Sequence, residues 1–477
     1  MFFKNYKCCI IGTGPAGLGA AIELKKNGID DIIMIDRNKK IGGLSRTDVI
    51  DGIRYDVGPH RFYTNSKEIN RIWHETLGKD FIPVNRLTRI YYKNKYFLYP
   101  INAIDSLSKL GLIESLYALF SFVHSKTFHH NSQPATFENW VIQRFGKKLY
   151  KTFFKTYTEK VWGISCDQIG AEWAAQRIKG LDIMQIINNA LLGSSKKNKI
   201  KTLVENFNYP ILGAGQMYEA MTDNLVAQGV EIVLDTEVVA IHHDNYKVNS
   251  IDVITSQGNK INISAEQYFS SIPMTRFFKM LHLPLSEPIQ TAADTLYFRD
   301  HITVDLLVNQ DDLFPDQWIY IHSPDVKMVR LANYKNFSKA MGCKNKTPLS
   351  VEYFVFQHEN IWKYSDESIQ SLAIEELEYL GIVKKETVEK ANIVRETETY
   401  PSYFLGFQEP YKVLKKYLDQ FINLCPIGRG GLYKYNNQDH SILSGLCAAR
   451  NYIKLKQYPY YNIWDINTDS EYEYSQA

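Results

Sequence analysis

Cysteine is sparse and unpatterned in this chain. Six thiols are scattered over 477 residues with no C-x-x-C among them. That excludes a disulfide framework and a paired-cysteine zinc site, and it points to a reducing compartment, expected to be the cytoplasm. Cys8 and Cys9 fall inside an apolar run and read as core thiols. No stretch of about 20 apolar residues occurs, so no transmembrane helix is expected. The nearest candidate, Leu110 to Val123, is short and contains Glu114, which suits a core or interfacial amphipathic helix. The amino terminus runs straight into a strand pattern, leaving no room for a secretory leader. Charge of one sign is lacking too: 55 basic residues face 52 acidic ones, for a net charge of +3. No basic block stands out, and no nucleic-acid partner is expected. G-x-S-x-G, H-E-x-x-H and Walker A motifs are absent, and the 12 histidines form no ligand-spaced cluster, so no metal site is expected.

Aromatic residues are plentiful, with 32 Tyr, 24 Phe and 7 Trp. An AT-rich genome accounts for much of that. Length alone suggests two to three domains or one large interleaved unit.

Residues 7 to 47 form a cofactor grip in two parts. An apolar run, Cys8 to Ile11, enters Gly12-Thr13-Gly14-Pro15-Ala16-Gly17, and Ala20 to Leu24 follows at helical spacing. Gly12 permits the tight turn, Gly14 lets a pyrophosphate approach, and Gly17 lets helix and strand pack closely. The helix start at Pro15 and Ala16 offers a positive dipole end and unpaired N–H groups, of which Pro15 itself has none, to phosphates. A second apolar run, Ile32 to Ile35, ends on Asp36, 19 residues after Gly17, where a carboxylate receives ribose hydroxyls. The second part is Arg37 followed by Gly42-Gly43-Leu44-Ser45-Arg46-Thr47, glycines and a small hydroxyl that suit another close backbone approach.

Together these residues resemble the FAD-binding extension of the flavin amine oxidase, protoporphyrinogen oxidase and UDP-galactopyranose mutase superfamily. The implied fold is α/β: a discontinuous Rossmann-type FAD-binding domain (1–75, 205–277 and 416–460) with an interleaved mixed α+β substrate domain (76–204 and 278–415) and a tail (461–477). Predicted helices run from Ile104 to Val123, Phe137 to Phe145, Leu149 to Thr158, Gln176 to Leu192 and Ser368 to Leu380. Predicted strands include His301 to Val308, Trp318 to Ile321, Leu349 to Phe356 and a hairpin over Arg89 to Pro100.

Five further segments resemble the mutases. Gly58-Pro59-His60-Arg61-Phe62 is similar to their G-P-H-x-F, which puts His60 beside the flavin. Phe153 to Gly163 is similar to F-F-x-x-Y-T-x-K-x-W-G, which implies that Tyr157 and Trp162 border a sugar-nucleotide pocket. The match for a diphosphate-binding arginine is Arg177, and a second is Arg330, which follows Tyr320 and lies in an apolar strand where burial demands an anionic partner. Tyr400-Pro401 matches a phosphate-contacting tyrosine. Gly428-Arg429-Gly430-Gly431-Leu432-Tyr433-Lys434-Tyr435 with Asn437-Gln438-Asp439-His440-Ser441 resembles bacterial and eukaryotic signatures at once, placing Tyr435 on phosphate and Gly428, Asn437, Gln438, Asp439 and Ser441 on the cofactor. Val238 is expected at the cofactor by the same resemblance.

The resemblance implies a sugar-nucleotide mutase acting through reduced FAD, with NAD(P)H as a possible external reductant, in polysaccharide biosynthesis. Two arginine forks converging on a diphosphate make physical sense, since each bonds phosphate oxygens bidentately. The alternative is a flavin oxidase or desaturase, which needs no such convergence. Phe337 departs from the eukaryotic pattern, where a phosphate-binding tyrosine stands.

Overall fold

The computed structural model describes residues 3–99, 101, 103–128, 135–171, 206–282, 284–453 and 460–467. Its first sheet is built on the apolar runs of the cofactor grip. Phe3–Ile11 lies between Ile32–Ile35 and Lys260–Ser270, parallel to both, and Glu231–Val233 follows on the outer side of Ile32–Ile35. Lys247–Thr255 and Thr236–Asp244 extend the other side antiparallel, and Leu424–Pro426 pairs parallel with Lys260–Ser270. The sheet is thus Rossmann-type and assembled from three separated stretches of chain. Register aligns Ile11 with Ile35 and Ser270, Ile35 with Val233, and Ser270 with Pro426. The carboxyl ends of the parallel strands therefore share one edge, where α/β sheets bind ligands.

Helix Pro15–Lys26 leaves that edge and crosses Gln438–Ile453 backbone to backbone. A Cβ at Gly19 would stand 2.5 Å from the Ile442 carbonyl oxygen, and one at Gly445 would stand 2.0 Å from that of Ala16. This crossing ties the first glycine turn to the C-terminal signature.

The second sheet runs Val388–Pro401, Phe298–Val308, Thr347–Val355, Arg330–Asn333, Trp318–Ile321, Thr88–Tyr92 and Lys95–Leu98. Phe298–Val308 and Thr347–Val355 are buried throughout, and the charged residues they carry, Arg299, Asp300, His301, Asp305 and Glu352 among them, are hydrogen-bonded inside the protein. Tyr320, Arg330, Glu352 and Thr303 are successive cross-strand partners, so they form one row across the sheet.

Several expectations need correction. The predicted helix Ile104 to Val123 is two helices, Ala103–Leu110 and Leu112–Phe128, broken at Gly111, whose φ is +89°. The segment Leu149 to Thr158 is a π-helical turn, Tyr150–Lys155, that passes into helix Thr156–Trp162. Val388–Pro401, with its charged alternation, was not anticipated as a strand. The hairpin over Arg89 to Pro100 turns on Lys93 and Asn94, both with positive φ, as a two-residue turn of matching twist demands. The predicted helix Gln176 to Leu192, and Arg177 with it, lies outside the described residues.

Candidate active site

One cavity of about 670 Å³ runs from the first sheet's carboxyl edge to the second sheet. Its cofactor end is lined by Gly12, Gly14, Pro15, Ala16, Asp36, Arg37, Gly43, Leu44, Ser45, Val238, Gly428, Asn437, Gln438 and Ser441. Its far end is lined by Gly58, His60, Tyr157, Trp162, Tyr320, Arg330, Tyr400 and Tyr435. The folded chain thus brings together residues that lie up to 430 positions apart, Ile11 and Ser441 being the extremes of the lining. Three residues named for the cofactor do not line it. Gly17 faces the strand, where a Cβ would meet the Gly12 carbonyl oxygen at 1.9 Å. Gly42, with φ +99°, caps the turn Gly43–Ser45. Asp439 sits in the first turn of Gln438–Ile453, beside His440.

The cofactor end fits an adenine dinucleotide. The helix start at Pro15 and the turn at Gly43 face each other with only 3.4 Å between a Gly43 Cβ and the Gly14 Cα, so side chains at both would close the passage. Asp36 is more committed than its motif implied. It accepts from the Thr13 N–H at 2.7 Å, the Thr13 hydroxyl at 2.8 Å and the Asn38 N–H at 2.8 Å. Those bonds fix the carboxylate at the strand end, and it still borders the cavity. Buried polar atoms in the lining without a hydrogen-bond partner among the described residues include Trp318 Nε1 and His322 Nδ1 and, nearer the glycine turns in sequence or signature, Asn436 Nδ2 and His60 Nδ1. Buried polar groups are normally satisfied, so such atoms call for a ligand.

At the far end, Tyr157 projects from helix Thr156–Trp162. Its ring stacks on His322 at 4.7 Å and meets Tyr320 edge-on at 5.3 Å. Two cations secure that helix. Lys160 donates to the carbonyls of Ser323 at 2.6 Å and Met328 at 3.1 Å. Arg299 donates to the carbonyls of Val161 at 3.2 Å and Phe354 at 2.7 Å and pairs with Glu359. Gly163 leaves the room for this, because a Cβ there would stand 2.4 Å from the Arg299 guanidinium.

Arg330 has its anionic partner inside the protein. Its Nε and Nη2 both donate to Glu352, the latter at 2.8 Å, and His301 also reaches Glu352 at 3.1 Å. Arg330 holds the Glu352 carboxyl down to about 2 despite full burial, which alone would raise it. The anionic partner that the sequence reading demanded for Arg330 is therefore supplied by Glu352, with Nη1 left for a ligand.

Sequence reading passed over Arg429 as a site residue. Its guanidinium donates to the carbonyls of Asn436 at 2.8 and 3.0 Å and Thr399 at 3.1 Å. It lies 4.9 Å from the Tyr400 ring centre and 5.2 Å from that of Tyr435, two rings that stack on each other at 5.1 Å. No carboxylate pairs with it among the described residues. Its place inside the G-R-x-G signature was the available signal. Arg61 and Arg86 also line the cavity without a bonded acid among the described residues. Burial and the neighbouring Arg61 pull Arg86 below the usual arginine value. Glu396 and Glu398 reach the cavity from Val388–Pro401, with Arg46 bonding Glu396 and Arg276 lying 3.6 Å from Glu398.

His60 does not offer an acid. Burial, then Arg429 and Arg330, push it down to about 3, so it is neutral at physiological pH. Burial does the same to His322, also to about 3. A histidine held neutral leaves stability unchanged above its unfolded value of 6.5 and loses it as pH falls below that, because only the unfolded chain takes the proton. Between pH 6.5 and 4.5 this slope amounts to about 2–3 kcal/mol for His322. Urea unfolding at those two pH values should show His322→Phe losing less stability than the unsubstituted protein by that amount. Parallel losses would mean that His322 is protonated in the folded state. Phe337, by contrast, is core: it stacks on Trp318 at 5.9 Å and does not line the cavity.

Among the described residues no helix is long and apolar enough to cross a membrane, and no cluster could hold a metal. A domain family described as NAD(P)-binding Rossmann-like domain matches residues 10–76. A Klebsiella pneumoniae protein named "Probable UDP-galactopyranose mutase" is 24% identical over 259 residues, 51% of this chain and 59% of that protein. The Escherichia coli dTDP-fucopyranose mutase is 30% identical over 172 residues, 35% of this chain and 44% of its own length. The chain thus spans less than two thirds of either relative. A solved structure of reduced UDP-galactopyranose mutase superposes with a TM-score of 0.80 at 20% identity, covering 95% of both chains. In sequence and in fold, then, this chain resembles the mutase branch of the FAD-dependent amine oxidase superfamily.

Proposed function

We propose that this chain is a FAD-dependent mutase that interconverts the pyranose and furanose forms of a nucleotide sugar and works with reduced flavin. The carrying observation is the continuity of the cavity, from a dinucleotide cradle into a chamber walled by tyrosines and by arginines in excess of free carboxylates. Residues 1–75, 205–277 and 416–460 hold the cofactor in this reading, and 76–204 and 278–415 hold the substrate.

Gly12, Gly14, Pro15 and Ala16 would hold the pyrophosphate, Asp36 the ribose, and Gly43 to Ser45, Val238, Gly428 and Gln438 the remainder of FAD. Reduced flavin, when bound, supplies the nucleophile that replaces the diphosphate at the sugar's anomeric carbon. The chain's own residues have a different task. Arg429 and the Nη1 of Arg330 stabilise the departing diphosphate, since donors fixed in advance cost no reorganisation as charge develops. The hydroxyls of Tyr157, Tyr320, Tyr400 and Tyr435 donate to phosphate and sugar oxygens. Burial holds Tyr400 up to about 12, so it remains a donor at neutral pH. Stacked rings around Trp162 exclude water and orient the sugar. Neutral His60 presents an imidazole nitrogen to the ligand without adding charge. Such a reaction needs little acid–base machinery, and the paired state of Glu352 agrees with that.

The test is a paired incubation. Reduced and oxidised protein are given UDP- and dTDP-sugars, with NAD(P)H or dithionite as reductant. The reduced form should yield furanose without net redox change, and the oxidised form should yield none. Oxygen-consuming turnover by the oxidised protein on an amine or polyprenoid would defeat the mutase reading in favour of an oxidase.

A further inference from the structure

Helix Leu112–Phe128 carries apolar side chains on two faces. Ala118, Phe122 and Ser125 point inward and are buried. Gly146 of the facing helix, with φ +80°, lets the backbones meet, since a Cβ there would stand 2.7 Å from the Phe122 nitrogen. The helix is therefore seated firmly against the protein. The opposite face is exposed: Leu112 77%, Ile113 84%, Leu116 59%, Tyr117 58%, Phe120 70% and Val123 52%. At about 100° per residue these six positions cover one continuous arc that contains no lysine, arginine or carboxylate. Scattered exposed leucines need no explanation, whereas a contiguous apolar patch marks an interaction surface.

Charge identifies the partner. Residues 93 to 160, which include this helix and the segments packed on it, hold ten Lys and Arg against four Asp and Glu, a net of +6 in a chain whose total is +3. Three of those acids are already paired with lysines of the same region, Asp105 with Lys109, Glu114 with Lys148 and Glu159 with Lys155. Lys148 on the neighbouring segment lies 5.3 Å from the ring centre of Tyr117 on this face, and Lys147 and Lys151, close to it in sequence, are exposed. A symmetric dimer through this patch would oppose it with itself and bring like charges together. An anionic lipid surface attracts the exposed lysines of this region, Lys160 being spent on the Ser323 and Met328 carbonyls, while the headgroup boundary accepts the apolar arc. With 17 residues, the helix suits lying in the interface rather than spanning it.

We propose that the outer face of Leu112–Phe128 docks this protein on an anionic membrane surface. The cavity wall includes Ile101 and Phe154, beside the same helical segment, so docking sets the substrate entrance close to the lipid headgroups. The inference stands apart from the reaction class and survives if the oxidase reading prevails.

The test is co-sedimentation of the full-length protein with vesicles. Binding is expected to mixed phosphatidylglycerol–phosphatidylcholine vesicles, weakening with salt, and to be much weaker with phosphatidylcholine alone. Phe120→Glu and Leu116→Glu place charge at positions already exposed, so folding should be preserved, as checked by unfolding temperature. Each should lower vesicle affinity by about tenfold or more. Lys147→Glu with Lys151→Glu should reduce binding to the anionic vesicles and flatten its salt dependence. Protein that stays in solution overturns the proposal, whether a second copy covers the face (a dimer that Leu116→Glu splits) or residues 172–205 of the same chain do. Equal vesicle binding by folded Phe120→Glu overturns it as well.

Discussion

Replacing Arg330 with alanine is expected to end turnover, with kcat falling at least about a hundredfold, and to cost about 3–5 kcal/mol of fold stability. The second effect follows from Glu352, which is fully buried and bonded bidentately by Arg330. Removing the guanidinium strands a carboxylate in a dry environment with only His301 beside it. The sign of the pH dependence should also change. With Arg330 present, the Glu352 carboxyl is held at about 2 against an ordinary 4.5, so its stabilisation is complete above pH 4.5 and drains away as pH falls toward 2. Without Arg330, burial raises the carboxyl instead, and mild acid stabilises the variant.

Arg330→Ala combined with Glu352→Gln removes the stranded charge. Most of the stability should return while turnover does not. Bound flavin, read by its visible absorbance, should persist in the double variant. A double variant that regains turnover would show that Arg330 serves only to satisfy Glu352, and the diphosphate role would be withdrawn.

Gly17→Ala is expected to abolish cofactor retention and cost on the order of 3 kcal/mol or more. The added methyl would lie 1.9 Å from the Gly12 carbonyl oxygen and 3.1 Å from Ile10 Cγ2. The first obstacle is backbone and cannot rotate away. Relief requires lifting the helix Pro15–Lys26 off its strand, and that helix also carries the Gly19 and Gly445 contacts to Gln438–Ile453. The purified variant should be colourless, with a lowered urea midpoint. A fully yellow Gly17→Ala protein of unchanged stability would mean that the helix packs differently from the structure described. Gly28 is the control: nothing lies within 4 Å of a Cβ there, and only its φ of +75° opposes alanine.

The cofactor turn was legible because its constraints are local. Gly12, Gly14 and Gly17 answer steric demands within a single strand–turn–helix, and Asp36 follows at a distance set by the lengths of one helix and one strand. The hairpin at Lys93 and Asn94 was legible for the same reason. The π-turn at Tyr150–Lys155 was not, since its apolar spacing differs little from that of an ordinary helix. Tyr157, Trp162, Tyr400 and Tyr435 could be named only through the resemblance, because an aromatic residue on a helix or strand looks the same whether it packs in a core or walls a cavity. Phe337 makes the point: it matched a family site position and lies in the core.

By itself the sequence determined the elements whose cause is short-range: the dinucleotide turn, the first apolar strands and the hairpin at Lys93 and Asn94. Only the tertiary structure decided which charges are spent and which are available. Strand register put Glu352 beside Arg330, 22 residues away, and so supplied from within the chain the anion that burial of this arginine demands. The same folding gave Arg429 carbonyl and aromatic partners but no carboxylate among the described residues, and turned one face of Leu112–Phe128 outward. Pairing and exposure depend on what the rest of the chain places nearby, and no local pattern of residues carries that information.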